Sequence, residues 1–558
     1  VYSESQGGNI TRLNLRTNQA QTIQPQALAG DPELRWNWNS PIVKSPVNPN
    51  VLYMGAQFLF KTSDRGYSWE RISPDLTTND SVKLKQYASG GLTLDNSSAE
   101  NHCTIFAIGP SPLDENLLYV GADDGNLQIT RDGGRNWELI SKNIPGVPAS
   151  AWVSSIEPDR FDRNTVYATF DHHMYGDLNT YVAKSTDQGR NWTLLSGSKT
   201  LRGFAHIIRQ DRVNPKLLFL GTEMGLFISN NGGEDWVLYK GNFPEYAPVR
   251  DLIIHPRTND LVIGTHGRGI YILDDISPLR TLTPELLQKN AALLPTRPDA
   301  VTNGHFGQSF PNTDGYAGAN APEQAQILYY LKDRISTGDV TLDILNDQGE
   351  LLISIPGTKR KGINIVNWDM RQKPPKAARG VMVQGEPGVF AGAIGPMATP
   401  GNYTVRLKTG DATTEAALVL TEDPLAPGLD YAARNRISRE LFGMVEELGL
   451  LVAQVQSLRD TAKLRADTAQ NKKLRASLQQ LVGKMDALYA TLTETNTAKG
   501  ITGEKKLRAE IGRQYLFMET SDEMPTKSSV DRMTFLKGEL QKHQGMATGY
   551  FKEAEALN

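Results

Sequence analysis

The sequence predicts a mainly β chain: a β-propeller, incomplete or of six and more blades, then a β-sandwich, then an α-helical bundle. Three observations carry this. A turn-and-tryptophan motif recurs four times in the first half. A Pro/Asn turn followed by an apolar run recurs between its copies. Beyond residue 430 the apolar residues change to helical spacing.

The first motif is Thr62-Ser63-Asp64-Arg65-Gly66-Tyr67-Ser68-Trp69. It returns as Thr130-Arg131-Asp132-Gly133-Gly134-Arg135-Asn136-Trp137 and as Ser185-Thr186-Asp187-Gln188-Gly189-Arg190-Asn191-Trp192. Ser229-Asn230-Asn231-Gly232-Gly233-Glu234-Asp235-Trp236 is a fourth copy, with Asn231 in the aspartate position. An Asp there can fold its carboxylate onto turn N–H groups. The Gly supplies a positive φ, and the Trp is a large apolar plug under the hairpin. The second signature is Ser45-Pro46-Val47-Asn48-Pro49 to Gly55, matched by Ser111-Pro112-Leu113-Asp114-Glu115 to Gly121. Looser copies begin at Glu157-Pro158, Val213-Asn214-Pro215 and His255-Pro256. A Pro/Asn turn ends one strand and an apolar run opens the next, so one repeat is one four-stranded blade. Residues 1–24 give part of a blade, starting at its second strand. Fuller blades follow at about 36–72, 104–141, 152–196 and 204–239, and 249–274 gives a last one without the turn motif. Because a propeller closes by pairing its ends, and Val1 opens in mid-strand, we expect the true N-terminus upstream, together with any export signal.

The turn motif resembles the Asp box of the sialidase, sortilin and oligoxyloglucan-hydrolase group of β-propellers. A second stretch, Val262-Ile263-Gly264-Thr265-His266-Gly267-Arg268-Gly269-Ile270-Tyr271-Ile272-Leu273-Asp274-Asp275, resembles a segment of large exported bacterial proteins of the BNR-repeat, sortilin-like class, loosely called glycosyl hydrolases. The module order resembles theirs over the whole chain. The resemblance implies an outer-rim, structural place for Asp64, Trp69, Asp132, Trp137, Asp187, Trp192, Asn231 and Trp236. It also implies an extracellular or periplasmic location and a longer N-terminal region. It names a family more than an activity.

Residues 1–280 are thus read as blades and 281–325 as a linker, with a short helix opened by Thr283-Pro284 and a Gly/Asn-rich loop over 302–320. Residues 326–425 read as an immunoglobulin-like sandwich of about seven strands. Its Pro400-Gly401-Asn402-Tyr403-Thr404-Val405 run is typical of modules appended to secreted bacterial enzymes. In 430–558, Ile437, Leu441, Met444, Leu448, Val452, Val455 and Leu458, then Leu474, Leu478, Leu481, Met485, Leu488 and Leu492, recur at steps of three and four. They predict an antiparallel bundle packed mainly on itself.

Composition narrows the function. Lys plus Arg is 59 against 62 acidic residues, a net charge of −3, which gives no support to nucleic-acid binding. No run approaches the roughly 20 consecutive apolar residues of a membrane span. One cysteine, Cys103, excludes an internal disulfide and a cysteine-built metal site. No cofactor is expected; Ca²⁺ could suit the oxygen-rich loops, but no segment spells a calcium loop.

Candidate functional residues lie in the between-strand hairpins. Asp123-Asp124 and Glu223 could bring two carboxyls across a glycosidic bond, with Asp124 and Glu223 as the catalytic pair. The other reading is acidic residues exposed in turns. His266 and Arg268 could contact an anion or sugar, or lock the last blade through neighbouring carbonyls. Trp36 and Trp38, two apart and so on one face of a strand, could stack a sugar or be buried between blades. His172-His173 beside Asp171 and Asp177 could bind a metal or be a polar loop. Arg202, Arg209, Arg212 and Arg250 match no arginine cluster of a sialidase. The reading that follows is an exported binding or scaffold protein of the cell envelope, with a protein partner or larger assembly and a glycan as possible ligand. The alternative is a glycoside hydrolase acting on polysaccharide.

Overall fold

A computed structural model describes residues 1–85, 99–195, 197, 200–302, 324–381, 386–424, 427–495, 505–521 and 523–557. The Gly/Asn-rich loop expected over 302–320 lies outside the described residues, apart from its first position. The chain divides into two compact units, Val1–Thr283 and Pro284–Asn558.

Among the described residues the first unit is a run of six antiparallel meanders. The second to fifth have four strands each. They begin with the innermost strands Ile42–Lys44, Ile105–Pro110, Trp152–Pro158 and Ala205–Gln210, and end with the two-residue strands Glu70–Arg71, Glu138–Leu139, Thr193–Leu194 and Val237–Leu238. The first has three strands, Tyr2–Ser5, Asn9–Asn14 and Gln19–Thr22; the sixth has Val249–Ile254, Leu261–Thr265 and Ile270–Leu273. Successive sheets bury their facing apolar residues in shared clusters. Ile207, Phe219 and Leu226 of the fifth sheet pack with Val249, Leu252 and Ile263 of the sixth. This is blade-on-blade packing of a β-propeller.

The repeated turns explain the packing. In each, Ser or Thr hydroxyl oxygen accepts from the Gly N–H: Thr62 from Gly66 (3.0 Å), Thr130 from Gly134 (2.9 Å), Ser185 from Gly189 (2.8 Å) and Ser229 from Gly233 (2.9 Å). The Asp or Asn oxygen accepts from the N–H four residues on, at 2.9, 2.9, 2.8 and 3.0 Å. The Gly is also the contact with the preceding sheet. A Cβ there would lie 2.5 Å from Ile23, 2.5 Å from the Ile72 carbonyl, 2.4 Å from Ile140 and 2.6 Å from Leu195. Trp69 and Trp137 reach the same places, donating from Nε1 to the Ile23 (2.7 Å) and Ile72 (3.1 Å) carbonyls. So the motif welds one blade to its predecessor besides closing its own hairpin. Ile23 stands where Ile72 does, just after an outermost strand, so the first sheet supplies the second to fourth strand positions of a blade.

These turns titrate. Hydrogen bonds from Ser68 hold Asp64 down to about 2, bonds from Asn136 hold Asp132 down to about 2, and Asp187 is lowered chiefly by Asn191. A folded carboxylate below its ordinary 3.8 stabilises the fold above that pH, and the contribution is lost as pH falls through the folded value. The triple variant D64N/D132N/D187N should therefore show a flatter dependence of melting temperature on pH between about 4 and 2. Parallel curves for variant and parent would refute the assignment.

The second unit begins inside the segment expected to be a linker. After helix α1 (Pro284–Leu287), Ala291–Leu293 and Asp299–Ala300 are already strands of two sheets. One sheet joins Ala291–Leu293 to Ala325–Leu331 and Gly362–Trp368. The other orders Asp299–Ala300, Ala412–Thr421, Gly401–Thr409, Val340–Leu345 and Leu351–Pro356. They share a core that includes Ile327, Tyr329, Leu342, Val405 and Leu418, with Trp368 edge-on to Tyr403 at 5.7 Å.

The helices are α2 (Tyr431–Thr468), α3 (Lys472–Leu492), α4 (Leu507–Glu519) and α5 (Lys527–Ala556). Asp430, Asn471 and Thr526 cap α2, α3 and α5, as N-cap residues should. They do not form a simple up-down bundle. Arg459 pairs with Asp486 and Ser438 with Glu519, so α3 and α4 run in series back along α2. Lys537 then meets Glu440, Gln544 meets Glu447, and Arg465 donates to the Leu557 carbonyl. Helix α5 is therefore parallel to α2, because two helices share the return path. An 18-residue window of α2 reaches a mean hydropathy of 1.2, but Leu441, Leu448, Leu451, Val452 and Val455 are buried in the helical core.

Nor do the helices pack only on themselves. Ala378 and Ala391, from the segment before them, belong to the same core. Gly388 and Gly512 meet backbone to backbone: a Cβ on either would sit 2.0 Å from the Ala509 or the Gly388 carbonyl oxygen. Three helical charged residues find partners in this segment. Glu519 accepts from Met397 N (2.8 Å) and lies 3.6 Å from Arg371, Arg513 pairs with Glu386, and Arg508 donates to the Val381 carbonyl (3.1 Å).

Candidate functional site

The hairpins between the second and third strands carry nearly every candidate. Asp123 and Asp124 are not exposed turn acids but 0% and 4% exposed. Asp123 accepts from Thr104 N (2.9 Å), Thr104 Oγ1 (2.7 Å) and Asn37 Nδ2 (3.2 Å). Burial still pushes it up to about 7. Asp124 accepts from Thr78 N (2.6 Å), Thr78 Oγ1 (2.8 Å) and Asn126 N (3.2 Å). Both aspartates fasten their hairpin to the connecting loops.

Glu223 is different. Its side chain is 32% exposed, and its Oε2 accepts from His206 Nε2 at 2.8 Å. His206 Nδ1 faces Arg250 Nη1 at 3.3 Å, and Arg250 Nη2 lies 3.9 Å from Glu223. A guanidinium can only donate, so Nδ1 is the acceptor and the imidazole is neutral with its proton on Nε2. Burial, then Arg250, lower the His206 pKa, in agreement with that form. Thus Asp124 and Glu223 belong to separate networks, and among the described residues no contact joins them.

The backbone explains why His206 and Arg250 meet. The innermost strands of the third to sixth sheets each slip register at one place: between Ile105 and Ala107, Val153 and Ser155, Ala205 and Ile207, Val249 and Asp251. The extra residues are Phe106, Ser154, His206 and Arg250. A bulge re-aims the side chain it carries, and two adjacent bulges turn His206 and Arg250 towards the Glu223 hairpin.

The remaining candidates scatter. His266 and Arg268 are exposed, and among the described residues neither side chain has a hydrogen bond or ion pair. The His266 N–H donates to the Pro248 carbonyl (2.9 Å), and the Thr265 N–H (3.1 Å) and Oγ1 (2.5 Å) close the hairpin on the Gly269 carbonyl. Trp36 and Trp38 do not share a strand face: only Asn37 makes an isolated bridge, to Glu100. Trp36 is buried against Gly8 and Phe60, while Trp38 is 46% exposed. His172 bonds Asp177 (3.3 Å) and Ser150 (3.2 Å), and His173 bonds Asp171 (2.7 Å) and stacks on Phe204 at 4.4 Å. Among the described residues no His, Cys, Asp or Glu group is placed to hold a metal. Cys103 is buried, and burial raises its thiol pKa.

His206 was the residue missed from sequence. A bulge adds one residue to a strand without changing its composition, so only the strand pairing exposes it.

No protein-family model matches the chain. Over 132 residues it is 34% identical to a probable oligoxyloglucan-reducing end-specific xyloglucanase of Neosartorya fischeri; the match covers 23% of this chain and 13% of that protein. Among solved structures, the GH74 xyloglucanase of Xanthomonas campestris is 15% identical with a TM-score of 0.36, over 77% of this chain and 59% of that one. YCF48 from Cyanidioschyzon merolae is 14% identical with a TM-score of 0.29, over 44% and 69%.

Proposed function

We propose that the chain is an exported binding or scaffold protein of the cell envelope or extracellular space, using a propeller face to recognise a protein or a glycan. One observation carries this: the acid that would have to pair with Glu223 is already committed. Asp124 is buried under hydrogen bonds from Thr78, whereas a glycosidase keeps both carboxyls free to meet substrate across one bond. In this reading the repeated turns are Asp boxes of a sortilin-like propeller. The paired sheets of the second unit are an immunoglobulin-like module, and with the helices they dock the protein to a larger assembly.

The second reading, a glycoside hydrolase, is favoured by the 132-residue match to a probable xyloglucanase. A hydrolysis screen on a polysaccharide panel that includes xyloglucan separates the two. The expected result is no release of reducing ends by the parent protein. Hydrolysis abolished by both D124N and E223Q would overturn the binding reading. Export is checked by fractionating cells that make the full-length protein.

A further inference from the structure

We propose that Glu223 and Arg250, set in place by the buried His206, form a binding site for the vicinal hydroxyls of a neutral saccharide. This rests on the reading of the propeller face as a recognition surface, and narrows it to one place and one chemistry.

The site is built from behind. His206 is 4% exposed at its side chain and spends both ring nitrogens on solvent-facing partners, Glu223 at 32% and Arg250 at 46%. Burying an imidazole requires partners, yet here they are two surface groups that water would otherwise solvate. Among the described residues Glu223 Oε1 accepts no hydrogen bond, and Arg250 Nε and Nη2 donate none. A fixed acceptor thus stands beside a fixed donor, both open to solvent. That is the complement of a diol, in which one hydroxyl donates to the carboxylate while its neighbour accepts from the guanidinium.

Charge selects among ligands with such groups. The carboxylate and guanidinium oppose each other at 3.9 Å, so the site has little net charge. An anionic ligand drawn to Arg250 meets Glu223 at nearly the same distance. A neutral polyol escapes that repulsion. An aromatic stack lies alongside: Phe204 meets His206 edge-on at 4.9 Å, and His173 lies flat on Phe204, 12° from parallel. His173 is 34% exposed at its side chain and offers a ring to the C–H face of a sugar. The strand bulges at His206 and Arg250 are a second, independent feature converging on the place.

Calorimetric titration of the full chain tests this, with xyloglucan heptasaccharide, cellotetraose and mannotetraose as neutral probes and tetragalacturonate as the anionic one. At least one neutral probe should bind, and tetragalacturonate about tenfold more weakly or not at all. E223A and R250A should each lose about tenfold or more, the scale of one charge-assisted hydrogen bond, while each variant still melts cooperatively and is titrated well below its own melting temperature. H206A should lose binding, and H206Q, whose amide offers one donor and one acceptor, should retain more. Neutral-sugar binding untouched by E223A and R250A would overturn this site but leave the recognition face standing. Preference for tetragalacturonate, or no binding by any neutral probe, would overturn the proposal outright.

Discussion

Residues 430–558 expressed alone will not melt as a cooperative domain, whereas 284–558 will. The reason lies in the strap over 371–398. Truncation at 430 removes Arg371 and the Met397 N–H from Glu519, and Glu386 from Arg513. It also strips the backbone surface that Gly512 was shaped to meet. Glu519 is 1% exposed, and its burial raises its pKa even with these partners present. Removing one partner of a buried ion pair costs about 3–5 kcal/mol. That loss at Glu519, with the Arg513–Glu386 pair removed and Ala378 and Ala391 gone from the core, is a large share of the roughly 5–15 kcal/mol that holds a whole domain folded. Circular dichroism melts of the two fragments decide. A sharp, two-state transition in a monomeric 430–558 would show that the strap is incidental.

Trp236→Ala will destabilise the first unit by about 3–5 kcal/mol, the range for a large buried aromatic. Trp236 is 1% exposed and packs with Tyr167, Val182, Leu218 and Phe227, across the fourth and fifth sheets. Its Nε1 has no hydrogen-bond partner among the described residues, so the side chain contributes area and volume without a polar bond. W236F should accordingly recover more than half of the loss. Trp137→Ala should cost less, because Trp137 is half-buried, although its Nε1 bond to Ile72 goes with it. None of these changes should alter ligand affinity of the folded protein. An affinity loss without a stability loss would place these turns at a binding surface. Chemical denaturation of the three variants gives the ranking.

Local and periodic features were legible in the chain. The Ser/Thr and Asp or Asn side chains of the repeated turns satisfy turn N–H groups within eight residues, so spacing alone conveys them. The steps of three and four in 437–458 and 474–492 needed only one buried face per helix to be read. What the chain could not convey depends on partners distant in sequence. Asp124 reads as a surface acid until Thr78 is seen over it, and Trp36 is buried in the room Gly8 leaves while Trp38 stays exposed. The direction of α5 was hidden because two short helices and one long one carry the same apolar period. The meeting of His206, Glu223 and Arg250 was hidden most deeply. It depends on an extra residue in each of two strands, and a strand's register is a property of its pairing, which no single segment encodes.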